Sequence, residues 1–369
     1  MHMRPPAPTD PCPRAGRWWG TSTGALRALQ AWRVSPRAFR LIALAAVWAL
    51  VLTIISGAAV RLTGSGLGCP DWPDCTRTSL VAPLQYHAWV EFGNRLINAA
   101  VTIASLGALA AALLRGPRRR DLTWLSAGLV AGLLVEVVVG GLTVLFKLAP
   151  GFVMTHFLLA VVFLADALVL HHRSRIPDGP AGAEAGPRRV PLVGRPQMLL
   201  ARLLLLAVAT VITLGTVVTS TGPHGGDPRA RRFGFSLHSV AQLHGTSVEL
   251  LLGITVLTLW SLSRCRAPRR VIFRAEVLLA VLVAQAAVGY TQYLIGDPVG
   301  LVAVHVAGAC SVVVAALWFY LGLSAQPATV PAVATSHAEV AAAHTAAAHT
   351  AAACPGATPT DHPVGMTRR

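Results

Sequence analysis

Glu91-Phe92-Gly93-Asn94-Arg95 stands near the start of an apolar run that reaches Leu114. The fold turns on whether that run crosses a membrane. If it does, a carboxylate and a guanidinium lie four residues apart at membrane depth, where ionisable groups are costly and usually mark a working site. The plainer alternative is a structural salt bridge one helical turn long at a helix end.

Composition favours the membrane. Of the 369 residues, 54% are hydrophobic and only 12% are charged. Mean hydropathy is +0.59, whereas a soluble domain usually carries about 25% charged residues. The formal charge of +16 is almost all arginine, with Lys147 the single lysine. The arginines cluster between apolar runs, so they read as topology signals rather than as a nucleic-acid surface. No nucleic-acid partner is expected; membrane lipids are.

Eight runs are long enough to span about 30 Å of hydrocarbon, which takes roughly 20 residues each. They fall near 41–63, 88–114, 122–146, 152–171, 200–221, 237–262, 272–294 and 300–323. Arginine-rich segments precede the first span and follow the second, fourth and sixth, and the chain ends in Arg368-Arg369. All lie on one side, which the positive-inside rule makes cytoplasmic, with both termini there. The expectation is an all-α, multi-pass protein of the cell membrane. A basic, disordered tail covers 1–40 and a cytoplasmic linker rich in Pro, Gly and Ala covers 176–199. A low-complexity Ala/Thr/His tail, unable to bury a core, covers 324–369.

The two four-span halves, 41–175 and 200–323, resemble one another. Span one ends Gly57-Ala-Ala-Val60-Arg-Leu-Thr63-Gly64, and span five ends Gly215-Thr-Val-Val218-Thr-Ser-Thr221-Gly222. Gly140, Gly151 and His156 keep the spacings of Gly289, Gly300 and His305: 11 and 16 residues from the first glycine. Four spans return the chain to its starting side, so the repeats are parallel. On this alignment Asn94 in the second span falls on His244 in the sixth.

A lone histidine inside a membrane bonds across helices, relays protons or binds a metal or haem. A pair on facing helices of one four-helix unit is how bundles hold cofactors. Two imidazoles are too few for a structural zinc site but suit the two axial positions of a haem iron. His244 with His305 reads as such a pair. The loop after span one carries Cys69 and Cys75 on the outer side, where disulfides persist. Gly and Pro favour a tight turn there, so a bond between them is expected, as a staple or, being exposed in a short loop, as a redox-active pair.

Together these features resemble the bacterial haem A synthase family. The resemblance rests on eight spans in two halves, the Gly-Ala-Ala-Val-Arg-Leu-Thr-Gly-Ser-Gly-Leu segment before the Cys loop, a Glu-x-x-(His/Asn)-Arg motif, and histidines on spans four, six and eight. It implies oxidation of the C8 methyl group of haem O to the formyl group of haem A, for cytochrome oxidase assembly. It implies haem b held by His244 and His305, and the substrate haem held by His156 beside Glu91, Asn94 and Arg95. Glu91 corresponds to the family's essential carboxylate, and Cys69 and Cys75 to its cysteine pair. Implied partners are haem O synthase and the oxidase assembly machinery; a homo-oligomer is compatible with this. The chain departs from the family at Asn94, where many members have histidine. The first-half iron is then either five-coordinate or bound by another group, for which His87 is one candidate. The competing readings are a b-type cytochrome that only transfers electrons, and a haem carrier without catalysis. A pure electron carrier needs complete ligand pairs in both halves, which Asn94 argues against.

Overall fold

The computed structural model describes residues 33–178 and 189–326. Expectations about the tails at 1–32 and 327–369 and about 179–188 lie outside the described residues.

Among the described residues eight helices form, each long and apolar enough to cross a membrane. They are α1 Pro36–Leu62, α2 Tyr86–Leu114, α3 Arg120–Leu145, α4 Pro150–Ser174, α5 Arg195–Thr221, α6 Leu237–Arg264, α7 Arg269–Leu294 and α8 Val299–Leu321. Several extend past the apolar runs at their arginine-bearing ends, because polar residues at those ends are good helix formers and cap signals set the start. Ser35 caps α1, accepting from the Ala38 amide at 3.2 Å, and Pro36 takes the first turn, where its missing N–H costs nothing. Pro150 and Pro196 start α4 and α5 in the same way.

The packing order repeats. In the first half α1 packs on α2, α2 on α3, α3 on α4, and α4 returns to α1. In the second half α5, α6, α7 and α8 close the same ring, and the halves meet through α1 and α4 against α8, and α4 against α5.

Lipid tails are as apolar as leucine, so close packing rather than water exclusion holds such helices together. Small residues supply it: Ala43, Ala46 and Ala49 of α1 and Ala108, Ala111 and Ala112 of α2 are all buried in one cluster with Phe163, Leu164 and Leu170. The second half has its own cluster, from Ala201 and Leu204 to Phe319. Both clusters occupy the arginine-rich end of the bundle. His156, His244 and His305 lie toward the opposite end of their helices.

The arginine-rich end is pinned by polar contacts. Arg115, 1% exposed, grips Asp178 through both carboxylate oxygens at 2.9 and 3.1 Å. Arg119 pairs with Asp121 at 2.8 Å and donates to the Ile176 carbonyl at 3.0 Å. Two of the arginines that signal topology therefore also fasten α2 and α3 to the end of α4. A two-residue antiparallel ladder pairs Val190 with Ala325 and Pro191 with Ser324, joining the segment before α5 to the segment after α8.

Candidate functional site

His156 and His305 lie six residues into α4 and α8, and His244 lies seven into α6. At about 1.5 Å per residue these are depths of about 9–11 Å from the starts of those helices. Each ring lies on a glycine of a neighbouring helix. A methyl group at Gly140 of α3 would sit 3.1 Å from His156 Cε1, one at Gly289 of α7 2.9 Å from His305 Cε1, and one at Gly215 of α5 3.2 Å from His244 Cε1. The glycines that mark the repeat are thus platforms for imidazoles, and a side chain there would displace the ring.

The second half completes a pair. The ring centres of His244 and His305 are 6.4 Å apart, with planes at 79°. A metal–imidazole bond of about 2.0–2.1 Å puts each ring centre about 3.2 Å from the metal, so two rings bound on opposite sides are about 6.4 Å apart. The pair therefore fits the two axial ligands of one haem iron.

The first half does not. Asn94 accepts a hydrogen bond from Ser56 Oγ at 2.6 Å through its side-chain oxygen. Gly57, the counterpart of Gly215, has nothing within 4 Å of where a methyl group would stand. The platform is present and the imidazole that would cover it is absent. His87 does not replace it: its Nδ1 is 2.9 Å from Ser65 Oγ, and it lies outside the cavity walls. Among the described residues that line the cavity, the first half thus offers one histidine, His156.

The quoted stretch of α2 serves the loop above it. Glu91, 5% exposed, receives the Cys69 amide at 2.7 Å on one oxygen and Arg95 at 2.8 Å on the other. Arg95 also donates to the carbonyls of Cys69, Asp71, Pro73 and Asp74 at 3.0–3.2 Å. Cys69 and Cys75 are joined by a disulfide and fully buried. The Trp72 indole between them rests against Gly141 of α3. The loop is a roof on the first-half site, clamped by the same carboxylate and guanidinium that face inward.

One cavity of about 1010 Å³ connects the halves. Glu91, Asn94, Arg95 and His156 line one part of it, and His244 and His305 the other. Arg61 of α1 also lines it and donates to the Thr219 and His224 carbonyls of the second half, both at 2.6 Å.

Comparison with known proteins decides the family. Residues 40–85 and 81–223 match the family COX15-CtaA, described as cytochrome oxidase assembly protein. The chain belongs to this family. Among curated members, a protein of Geobacillus kaustophilus named heme A synthase is 36% identical over 130 residues, covering 34% of this chain and 40% of that protein. One of Lysinibacillus sphaericus with the same name is 27% identical over 129 residues, covering 35% and 42%. One of Shewanella oneidensis, also so named, is 29% identical over 145 residues, covering 34% and 42%. The matches span about two-fifths of the length of these relatives.

Two side chains of this family member escaped the sequence reading. Glu136 Oε2 lies 2.8 Å from His156 Nδ1, off the axis of the ring N–H. The Gln285 amide nitrogen lies 3.1 Å from His305 Nδ1 and donates to the His305 carbonyl at 2.7 Å. Both sit four residues before the platform glycines Gly140 and Gly289. The signal was available: Glu136 is a carboxylate in the middle of an apolar run.

Proposed function

We propose that the chain oxidises the C8 methyl group of haem O to a formyl group, giving haem A for cytochrome oxidase. The observation that carries this reading is a single cavity facing two unlike histidine sites, one a complete pair and one with a single histidine beside a buried carboxylate. A protein that only passes electrons has no use for the second arrangement. The names of the relatives support the same reading.

In this proposal His244 and His305 hold haem b as a resident cofactor, and His156 holds the substrate haem. Haem iron supplies the redox chemistry when bound; the chain supplies orientation, a dry apolar slot and charge placement. Asn94 leaves one side of the substrate haem without a strong ligand, which suits a haem that must enter and leave. Glu91 takes or gives a proton near the methyl group, or steadies positive charge developing there, and Arg95 keeps its carboxylate in place. The roof held by Cys69 and Cys75 limits water over the substrate. The histidine-bearing end of the bundle faces away from the cytoplasm, and haem O arrives from its synthase within the membrane.

The test is pigment analysis. Cells producing haem O and this chain should yield haem A, and His156→Ala and His305→Ala should each abolish it. Haem b bound to an intact protein with no haem A formed would overturn the proposal and favour an electron carrier.

A further inference from the structure

His156 and His305 hold the same place in the two halves, yet the residue behind each one differs. Glu136 and Gln285 are related by the 149-residue offset that also relates the two histidines. Each approaches Nδ1 of its imidazole, the nitrogen on the side away from Nε2. One brings a carboxylate and the other an amide, which carries no charge whichever tautomer the ring adopts.

A carboxylate on the outer nitrogen of a ligating imidazole fixes the ring's tautomer and orientation and raises the basicity of the ligating nitrogen. Glu136 stands within reach of the outer nitrogen: Oε2 lies 2.8 Å from Nδ1, off the axis of the ring N–H, and a rotation of the imidazole makes the bond. The Glu136 side chain is 12% exposed, and its second oxygen, Oε1, is buried without a protein partner. An ionisable group at such depth is expensive to keep unless it is paired and used. A carboxylate serving packing alone has no reason to sit at the one position whose counterpart also touches a histidine Nδ1.

We propose that Glu136 is a positioning residue that makes His156 the more electron-donating of the two ligands, so that the first-half site favours ferric iron more strongly than an amide at 136 would allow. Gln285 leaves His305 as an ordinary imidazole. This inference rests on His156 being a haem ligand, as proposed above. The repeat thus carries two differences on one axis of the first half: Asn94 removes a ligand from one face, and Glu136 strengthens the ligand on the other.

The experiment is an optical redox titration of the purified, haem-loaded full-length chain and its variants. If loss of the Glu136 carboxylate weakens ferric relative to ferrous binding by about tenfold, Glu136→Gln should raise the first-half midpoint by about 59 mV, the one-electron equivalent. Glu136→Asp should restore most of the wild-type value, and the second-half midpoint should stay fixed in both. Gln285→Glu should lower the second-half midpoint and leave the first unchanged. If Glu136→Gln loads haem with an unchanged first-half midpoint, Glu136 is a structural ion-pair partner only and the inference fails. If Glu136→Gln does not fold, Gln285→Glu decides, and an unmoved second-half midpoint overturns the inference. Retention of the first-half haem by His156→Ala is a distinct outcome, which would overturn the ligand reading itself.

Discussion

Alanine at the four platform glycines separates the two halves most sharply. Replacing glycine by alanine inside a helix gains about 1 kcal/mol in helix propensity. At Gly57 nothing stands within 4 Å of the new methyl group, so Gly57→Ala should keep that gain. At Gly289, Gly140 and Gly215 the methyl would meet an imidazole at 2.9, 3.1 and 3.2 Å. Overpacking of this kind costs about 1–3 kcal/mol, so the net change there is between zero and about 2 kcal/mol destabilising. The imidazole must also shift, by a few tenths of an ångström at Gly140 and Gly215 and by more at Gly289, which should lower haem retention in the affected half. The assay is haem bound per protein after purification, together with the melting temperature in detergent. Gly289→Ala and Gly215→Ala should lose second-half haem, Gly140→Ala first-half haem, and Gly57→Ala neither. Equal haem loss in Gly57→Ala, or full loading in Gly289→Ala, would refute the platform argument.

Four further variants test the site. Asn94→His should place a ring over Gly57 and convert the first-half haem to a low-spin, six-coordinate spectrum, with haem A output falling as the substrate haem is held too firmly. Glu91→Ala should remove both the acceptor for the Cys69 amide and the partner of Arg95, abolishing haem A formation, whereas second-half haem content should stay at the wild-type level. Glu91→Gln, which keeps an acceptor for Cys69, should preserve the loop's resistance to protease but not activity. Cys69→Ser should cost about 2 kcal/mol of local loop stability, by the loop-closure estimate for so short a loop, and should show as faster proteolysis near Trp72 with the second-half haem spectrum unchanged.

Much of the fold was legible because hydrocarbon imposes a crude filter. A run of about 20 apolar residues has few alternatives, and the arginine clusters mark the ends. The inner helix boundaries were less legible, since Arg37, Arg40 and Arg120 can sit in a helix or a loop with equal ease at an interface, and the caps at Ser35 and Pro36 decide. The three histidines and the repeat could be read because identical spacings are hard to produce by chance. Gly57 is bare where its counterpart Gly215 carries the His244 ring. What Arg95 does was not legible. Its four carbonyl partners come from a loop 21–26 residues earlier, and backbone acceptors leave no mark in side-chain identity. Glu136 went unread for a different reason. The halves were aligned on glycines and histidines, and a Glu–Gln difference does not stand out until Nδ1 of each ring is seen to face it. His87 was reasonable by helical periodicity, but Ser65 holds it at the helix start, outside the cavity.

We propose that one repeated frame carries two unlike haem sites. Low-temperature magnetic resonance of the ferric, purified chain loaded in cells that make haem O tests it most directly. Two signals of comparable intensity are expected, one low-spin from the His244–His305 site and one high-spin from the His156 site, the second lost in His156→Ala. Two low-spin bis-histidine signals, or a single haem unaffected by His156→Ala, would contradict it.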